Sequence, residues 1–341
     1  MDTKLVVADF EDWRDSVTEA VALLDQGELV ALPTETVYGL AASALNAEAV
    51  AKVFEVKERP TFDPLIVHIG RKSDLSQVAE VPEDLKEIVD ELMAAFWPGP
   101  LTLVLPKKPE IPDLVTSGLP TVAVRLSAHE VMSEVAKVHG PIAAPSANRF
   151  GRISPTSAQA VIEELDGRIP LVIDGGACRD GLESTIIAPT MTEKGPVLRL
   201  LRPGPVTKEE LRKIAKVERV KNKPGQQVEA PGQLASHYAP ETPLMICDKP
   251  GQFVPEEGKK YGLLSYRGEG GMCLVNLTEW AVTETLSPGK GKLSEASVRL
   301  FYCLRKLDAA EVDMIVAEPV ANVGVGFAIM DRLKRAAAAS R

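Results

Sequence analysis

Short apolar runs alternate with stretches in which apolar residues recur every three or four positions, and that alternation organises the chain. An opening helix is predicted over 13–26, leading into an apolar strand that starts at Val30 and ends at Pro33. Further strands are predicted at 65–69, 101–106, 121–126, 142–144, 171–173 and 184–188. Helical spacing covers an alanine-rich stretch reaching Glu55, then 83–96, 128–138 and 156–165. Strands mixed with helices predict an α/β domain over 1–207. Residues 208–223 read as a basic helix and tail, and Pro224-Gly225 with Ala230-Pro231-Gly232 has linker composition, so 208–242 is read as a linker or lid. After Pro240 the pattern restarts, with strands at 244–247, 261–266, 273–277 and 314–318, a helix over 293–308 and a closing helix. Residues 243–341 therefore form a smaller, Rossmann-like α/β domain, and no internal repeat is visible.

Composition narrows the classes. A chain of 341 residues with 45% hydrophobic residues builds about two domains. Its net charge of −9 argues against a protein that coats nucleic acid non-specifically. Cys178, Cys247, Cys273 and Cys303 are far apart and the chain has 4 histidines, so no metal-binding spacing exists and a reduced, cytoplasmic setting is expected. Acidic residues at Asp2, Asp9, Glu11 and Asp12 do not fit a secretory leader. The apolar run 314–330 is broken by Glu318, Pro319 and Asn322, so no membrane span is expected.

The chemistry concentrates between Val30 and His68. Pro33 ends a strand, Thr34, Glu35 and Thr36 follow on a turn, and Gly39 permits close backbone approach, which suits a small polar ligand. Lys57 and Arg59 end a helix before Pro60 forces the chain extended, and two cations on a stiff turn favour an anion. Taken singly, the threonines also suit helix caps, the cations a solvated helix end, and His68 a core histidine. Later in the chain Ser146 and Asn148 end another strand, and Thr156 suits a helix N-cap. Arg125 ends an apolar strand and needs an anionic partner if buried. Glu183-Ser184-Thr185 and Arg202-Pro203-Gly204 complete the set.

The order and spacing of Pro33-Thr34-Glu35-Thr36-Val37-Tyr38-Gly39-Leu40, Lys57-x-Arg59-Pro60, Pro64-Leu65-Ile66-Val67-His68, Trp97-Pro98-Gly99-Pro100-Leu101-Thr102, Arg125, Pro145-Ser146-Ala147-Asn148, Glu183-Ser184-Thr185 and Arg202-Pro203-Gly204 resembles the Sua5/YciO/YrdC family. The two-domain length, His237-Tyr238-Ala239-Pro240 and the run from Gly324 to Leu333 resemble its longer Sua5 branch. The resemblance implies a YrdC-like twisted mixed sheet with a large concave site, followed by a Sua5-type C-terminal domain. It also implies threonylcarbamoyl-AMP synthase activity, in which L-threonine, bicarbonate and ATP give the adenylate and pyrophosphate for t6A modification of tRNA. Such chemistry needs positioning and charge neutralisation rather than a covalent nucleophile.

Carried over by similarity, Thr34, Thr36, His68, Arg125, Ser146 and Ser184 surround threonine, with Arg125 on its carboxylate. Arg59, Asp63, Thr121, Asn148, Thr156, Arg202, His237 and Tyr238 contact ATP, and Lys57 and Arg59 act on the triphosphate and the carbamate. Mg²⁺ is expected on the phosphates, held by ATP and water rather than by a dedicated protein site. The implied partners are the tRNA threonylcarbamoyl transferase proteins that use the adenylate, with direct tRNA binding left open. Two departures stand out. The family usually has asparagine where this chain has Asp63, a carboxylate that repels triphosphate unless it binds Mg²⁺ or turns away, and Leu234-Ala235-Ser236 stands where many relatives carry Lys-Tyr-Arg. Gly324-Val325-Gly326 lacks the third glycine of a dinucleotide fingerprint and reads as helix packing. The alternative function is a double-stranded RNA-binding or ribosome-associated module, since nine Lys or Arg stand against three Glu from Arg199 to Lys223.

Overall fold

The structure is a computed structural model and describes residues 2–8, 13–220, 228–234, 237–249, 252–268 and 274–339. The predicted tail beyond 220, most of the Pro224-Gly225 linker, Ala235, Ser236 and Cys273 lie outside the described residues. The chain forms two compact units: Met1–Phe150 with Pro155–Arg179 and Glu183–Gln233, and Gly151–Ser154 with Asp180–Leu182 and Leu234–Arg341.

In the first unit the strands are β1 (Lys4–Val7), β2 (Val30–Leu32), β3 (Gly39–Ser43), β4 (Ile66–His68), β5 (Leu101–Pro106), β6 (Thr121–Arg125), β7 (Ile142–Ala143), β8 (Leu171–Asp174), β9 (Thr185–Thr192), β10 (Gly195–Arg202) and β11 (Lys216–Arg219). The helices are α1 (Trp13–Asp25), α2 (Ala47–Lys57), α3 (Leu75–Val78), α4 (Lys86–Phe96), α5 (Asp113–Thr116), α6 (Glu130–His139), α7 (Ala158–Leu165) and α8 (Lys208–Leu211). The strands join one mixed sheet in the order β1-β8-β2-β3-β7-β4-β6-β5-β9-β10-β11. Its neighbours β4 and β6 run parallel with His68 opposite Arg125, while β5 is antiparallel to β6 and parallel to β9. Helices α1 and α6 bury Val17, Ala20, Leu24, Val131, Met132 and Val135 against β2, β3 and β8.

Two local devices aim the chain at the site. Asn46 caps α2, its side-chain oxygen accepting from the Glu48 and Ala49 N–H groups at 3.0 and 3.1 Å. At the other end Glu58 adopts φ 54°, so the Arg59 N–H returns to the Phe54 carbonyl at 2.9 Å and the chain turns sharply. Lys57 and Arg59 thereby leave the helix end in fixed directions.

In the second unit β12 (Leu244–Ile246), β13 (Tyr261–Ser265), β14 (Val282–Thr285) and β15 (Met314–Ala317) pair in parallel in the order β12-β15-β13-β14, with α9 (Leu293–Asp308) and α10 (Gly326–Ala338).

Strands β1 and β10 and the short helices α3 and α5 are not predicted from the sequence, and three further segments differ from its reading. Residues 39–43 form a strand, because a fully buried Gly-Leu-Ala-Ala run carries no alternation that separates strand from helix. Beyond 207 the basic stretch is a single short helix followed by β11, which pairs with β10. Within 273–277, Leu274–Asn276 is a 3₁₀ turn that inserts Leu274 among Cys247, Phe253 and Tyr261, and the strand is instead the polar Val282–Thr285.

Replacing Asn46 by Ala is expected to cost about 1 kcal/mol of first-unit stability through the lost cap. Glu58→Gly, at a backbone conformation that glycine adopts freely, is expected to cost none, both read as shifts in urea midpoint.

Candidate active site

The turn after β2 is closed by Thr34. Its Oγ1 donates to the Val37 carbonyl at 2.7 Å and accepts the Thr36 and Val37 N–H groups at 3.1 and 3.2 Å. Thr34 thus shapes the turn that presents its neighbours. Thr36 Oγ1 meets Arg125 Nη1 at 2.8 Å, Glu35 Oε1 lies 2.7 Å from Arg125 Nη2, and Arg125 Nε donates to the Gly99 carbonyl at 3.2 Å. Ser127 Oγ donates to Glu35 Oε2 at 2.5 Å. The carboxylate that the buried Arg125 requires is therefore supplied from within the chain by Glu35, which the sequence reading left out of the site. Its clue was an acid between two threonines on a buried turn.

Electrostatics fix the charge states here. Burial pushes the Glu35 carboxyl up, but Arg125 and hydrogen bonds from Ser127, Arg125 and the Ala128 backbone outweigh it and hold it at about 2. His68 is driven down to about 3 by burial and by Arg125, against a smaller pull from Glu35. It is neutral at physiological pH.

A second group forms around Lys57, which is 1% exposed. Its Nζ donates to the Ser146 carbonyl at 2.5 Å and to the Asn148 carbonyl, and burial followed by the charge of Arg59 lowers its pKa. The loop carrying Ser146 and Asn148 is registered by the Ala147 N–H on the Tyr38 carbonyl at 2.8 Å and the Leu40 N–H on the Pro145 carbonyl at 2.8 Å. Arg59 donates to the Asp63 carbonyl at 3.1 Å and the Pro64 carbonyl at 2.9 Å, and its guanidinium sits 5.9 Å from the Phe150 ring centroid. Asp63 Oδ2 lies 2.9 Å from Arg59 Nη2, so this carboxylate turns onto its neighbouring cation. Burial raises the Asp63 pKa against the pull of Arg59, Arg202 and Lys57.

A third group links β5, β9 and β10. Ser184 Oγ shares a 2.7 Å hydrogen bond with Thr102 Oγ1 and accepts from Arg202 Nη2 at 3.1 Å, while Arg202 Nε donates to the Ser184 carbonyl at 3.0 Å. Ser184 and Arg202, assigned to different substrates by resemblance, form one unit, and Thr102 joins it. Thr121 opens β6, and the Thr156 carbonyl accepts the Cys178 N–H at 2.9 Å. His237 and Tyr238 belong to the second unit, where they stack edge-on with centroids 4.2 Å apart and Tyr238 faces Arg332.

These three groups can hold an amino-acid zwitterion and a polyanion. Residues 22–204 match the family model for Sua5, YciO and YrdC proteins, described as "Telomere recombination", and residues 206–338 match the C-terminal domain of threonylcarbamoyl-AMP synthase. The chain belongs to the Sua5/YciO/YrdC family. It is 41% identical to the threonylcarbamoyl-AMP synthase of Pyrococcus abyssi, over 96% of this chain and 94% of that one. It is 39% identical to the Bacillus subtilis enzyme of the same name, over 94% and 92%. Among solved structures it is similar to P. abyssi Sua5 complexed with L-threonine, with TM-score 0.84, 38% identity and coverage of 100% and 98%. No helix among the described residues of this Sua5-family chain is long and apolar enough to cross a membrane.

Glu35 has a folded pKa below the ordinary value of 4.5, so its contribution is complete above about pH 4.5 and is lost as pH falls towards 2. The wild type is expected to exceed Glu35→Gln in stability by roughly 3 kcal/mol at neutral pH, an advantage that fades across that window when urea midpoints are compared. In a proton NMR titration the His68 ring is expected to stay neutral between pH 5 and 8.

Proposed function

We infer that the chain is a threonylcarbamoyl-AMP synthase, a nucleotidyl-transfer enzyme of tRNA t6A modification that uses L-threonine, bicarbonate and ATP. The observation that carries the reading is the buried Arg125–Glu35 pair with Thr36 and the neutral His68, in the same unit as the separately anchored cations Lys57 and Arg59 at the end of α2. The balanced pair complements a zwitterionic amino acid, with Arg125 on its carboxylate. The cations, fixed by carbonyl groups, complement phosphate.

Threonine's amine and bicarbonate condense to a carbamate with loss of water. A carbamate oxygen then attacks the α-phosphorus of ATP and pyrophosphate leaves with the electrons of the broken P–O bond. Lys57 and Arg59 neutralise the charge that builds on the phosphate oxygens, and Arg125, Thr36, His68, Ser146 and Ser184 orient the nucleophile. Arg202, Thr121, Asn148 and Thr156 contact the nucleotide. Mg²⁺ would be carried by the phosphates and would neutralise them. Of the protein oxygens beside Arg59, the buried Asp63 Oδ1 fits it best, having no hydrogen bond among the described residues. The adenylate is labile in water, so a transferase that takes it directly is the expected partner. The described cysteines Cys178, Cys247 and Cys303 are buried and unbridged, in keeping with a reduced cytoplasmic setting.

The deciding experiment is pyrophosphate release with each substrate omitted in turn. Release is expected only with threonine, bicarbonate, ATP and Mg²⁺ together, and equal release from ATP alone would refute the reading. Lys57→Ala and Arg59→Ala are each expected to slow release roughly a hundredfold or more with the fold retained by circular dichroism. Arg125→Lys keeps the charge but loses the fork, and is expected to raise the threonine requirement roughly tenfold while ATP affinity by calorimetry stays put.

A further inference from the structure

We propose that the carboxyl edge of the second unit's sheet is a binding site for a ribose-phosphate group, independent of the synthase site. Its four strands are parallel, so all their carboxyl ends share one edge. Neighbours β13 and β15 send their chains to opposite faces. After β15 the chain enters α10, which packs on β12 and on α9, and α9 covers β13 and β14. A Cβ at Gly262 would lie 3.1 Å from Leu307 of α9, so the helices cover the face on which Gly262 and Leu264 point. After β13 the chain instead supplies Leu274 and Trp280 to the other face, against Tyr261, Leu263 and Val316. Ligands of parallel sheets bind where such neighbouring connections diverge.

Two features occupy that edge. The loop from β14 into α9 reads Leu286-Ser287-Pro288-Gly289-Lys290-Gly291-Lys292. Gly289 and Gly291 adopt φ 80° and 65°, the Gly289 N–H donates to the Arg267 carbonyl at 3.4 Å and the Lys292 N–H to Ser287 Oγ at 2.7 Å, and the first turn of the 16-residue α9 has no side-chain cap. Lys290 and Lys292 are exposed and have no ion-pair partner among the described residues. The exposed Arg267 packs against Gly291. Glu295, the carboxylate of this first turn, accepts from Ser287 Oγ at 2.7 Å.

The second feature is Glu318, which directly follows β15 and is 0% exposed. Its Oε2 accepts from Ser265 Oγ at 2.8 Å and from the Tyr266 N–H at 2.7 Å, whereas Oε1 is buried with no hydrogen bond among the described residues. Tyr266 ties the two features together: its N–H binds Glu318, its carbonyl accepts the Ser287 N–H at 2.9 Å, and its hydroxyl donates to the Gly291 carbonyl. A buried carboxylate oxygen calls for a donor, and a sugar hydroxyl is one. Exposed cations beside an uncapped helix start call for phosphate. A ribose-phosphate answers both, whether it comes from a free mononucleotide or from RNA. The loop has no GxxxxGK[ST] pattern, so binding and not phosphoryl transfer is proposed.

The test uses the full-length, isotope-labelled protein with ribose 5-phosphate and inorganic phosphate as probes, neither of which carries a base for the synthase site. Ribose 5-phosphate is expected to shift the amides of 265–268 and 286–293 saturably and more tightly than phosphate does. Lys290→Ala/Lys292→Ala should weaken both probes roughly tenfold while leaving threonine-dependent pyrophosphate release unchanged. Glu318→Gln should erase the preference for the sugar phosphate over phosphate; if that variant does not fold, the exposed double variant still decides. Displacement of the probe by 5′-AMP identifies a free nucleotide as ligand, and displacement only by a short ribo-oligonucleotide identifies RNA. No shift of these amides at millimolar probe, or binding unaffected by the double variant, would overturn the proposal.

Discussion

A guanidinium at the end of a buried strand must find acceptors on every side, and Arg125 organises the first unit around that demand. Glu35, Thr36 and the Gly99 carbonyl surround it, drawing together the turn after β2, the loop before β5 and the end of β6. Thr34 closes the turn that presents Glu35, and Ser127 braces the carboxylate from behind. Removing either charge alone would leave the other buried without compensation, which costs far more than the pair contributes.

Lys57 and Arg59 obey a different rule. Both are oriented by backbone carbonyls, and Arg59 is also paired with the Asp63 carboxylate. The Asp63 carboxylate is turned onto Arg59, and Glu164 also acts on the charge of Lys57. Buried groups held in this way need not reorganise when a charged ligand arrives. Ser184, Thr102 and Arg202 extend the same principle on the opposite flank of β6, where hydroxyls and a guanidinium hold one another in place.

Much of this was legible in the chain. The strands at 66–68, 101–106 and 121–125 and the helix at 293–308 carry strong apolar periodicity, and burial follows directly from it. The break at Pro60 located the cations at a helix end. Among the residues that the sequence singled out, Thr36 bonds Arg125, His68 lies opposite Arg125 and Lys57 reaches the Ser146 carbonyl.

Sequence alone therefore determined which residues are apolar, where helices start and stop, and which side chains can carry charge or donate hydrogen bonds, because those properties are local. It did not determine partners. That Arg125 meets Glu35 and that Lys57 reaches the carbonyls of Ser146 and Asn148 depend on tertiary placement that brings residues some ninety positions apart into contact, and that Ser184 and Arg202 act as one unit depends on the register of β9 against β10. Strands such as Gly39–Ser43 and Val282–Thr285 escaped notice for the same reason: one is buried on both faces and the other is polar, so only their neighbours in the sheet make them strands.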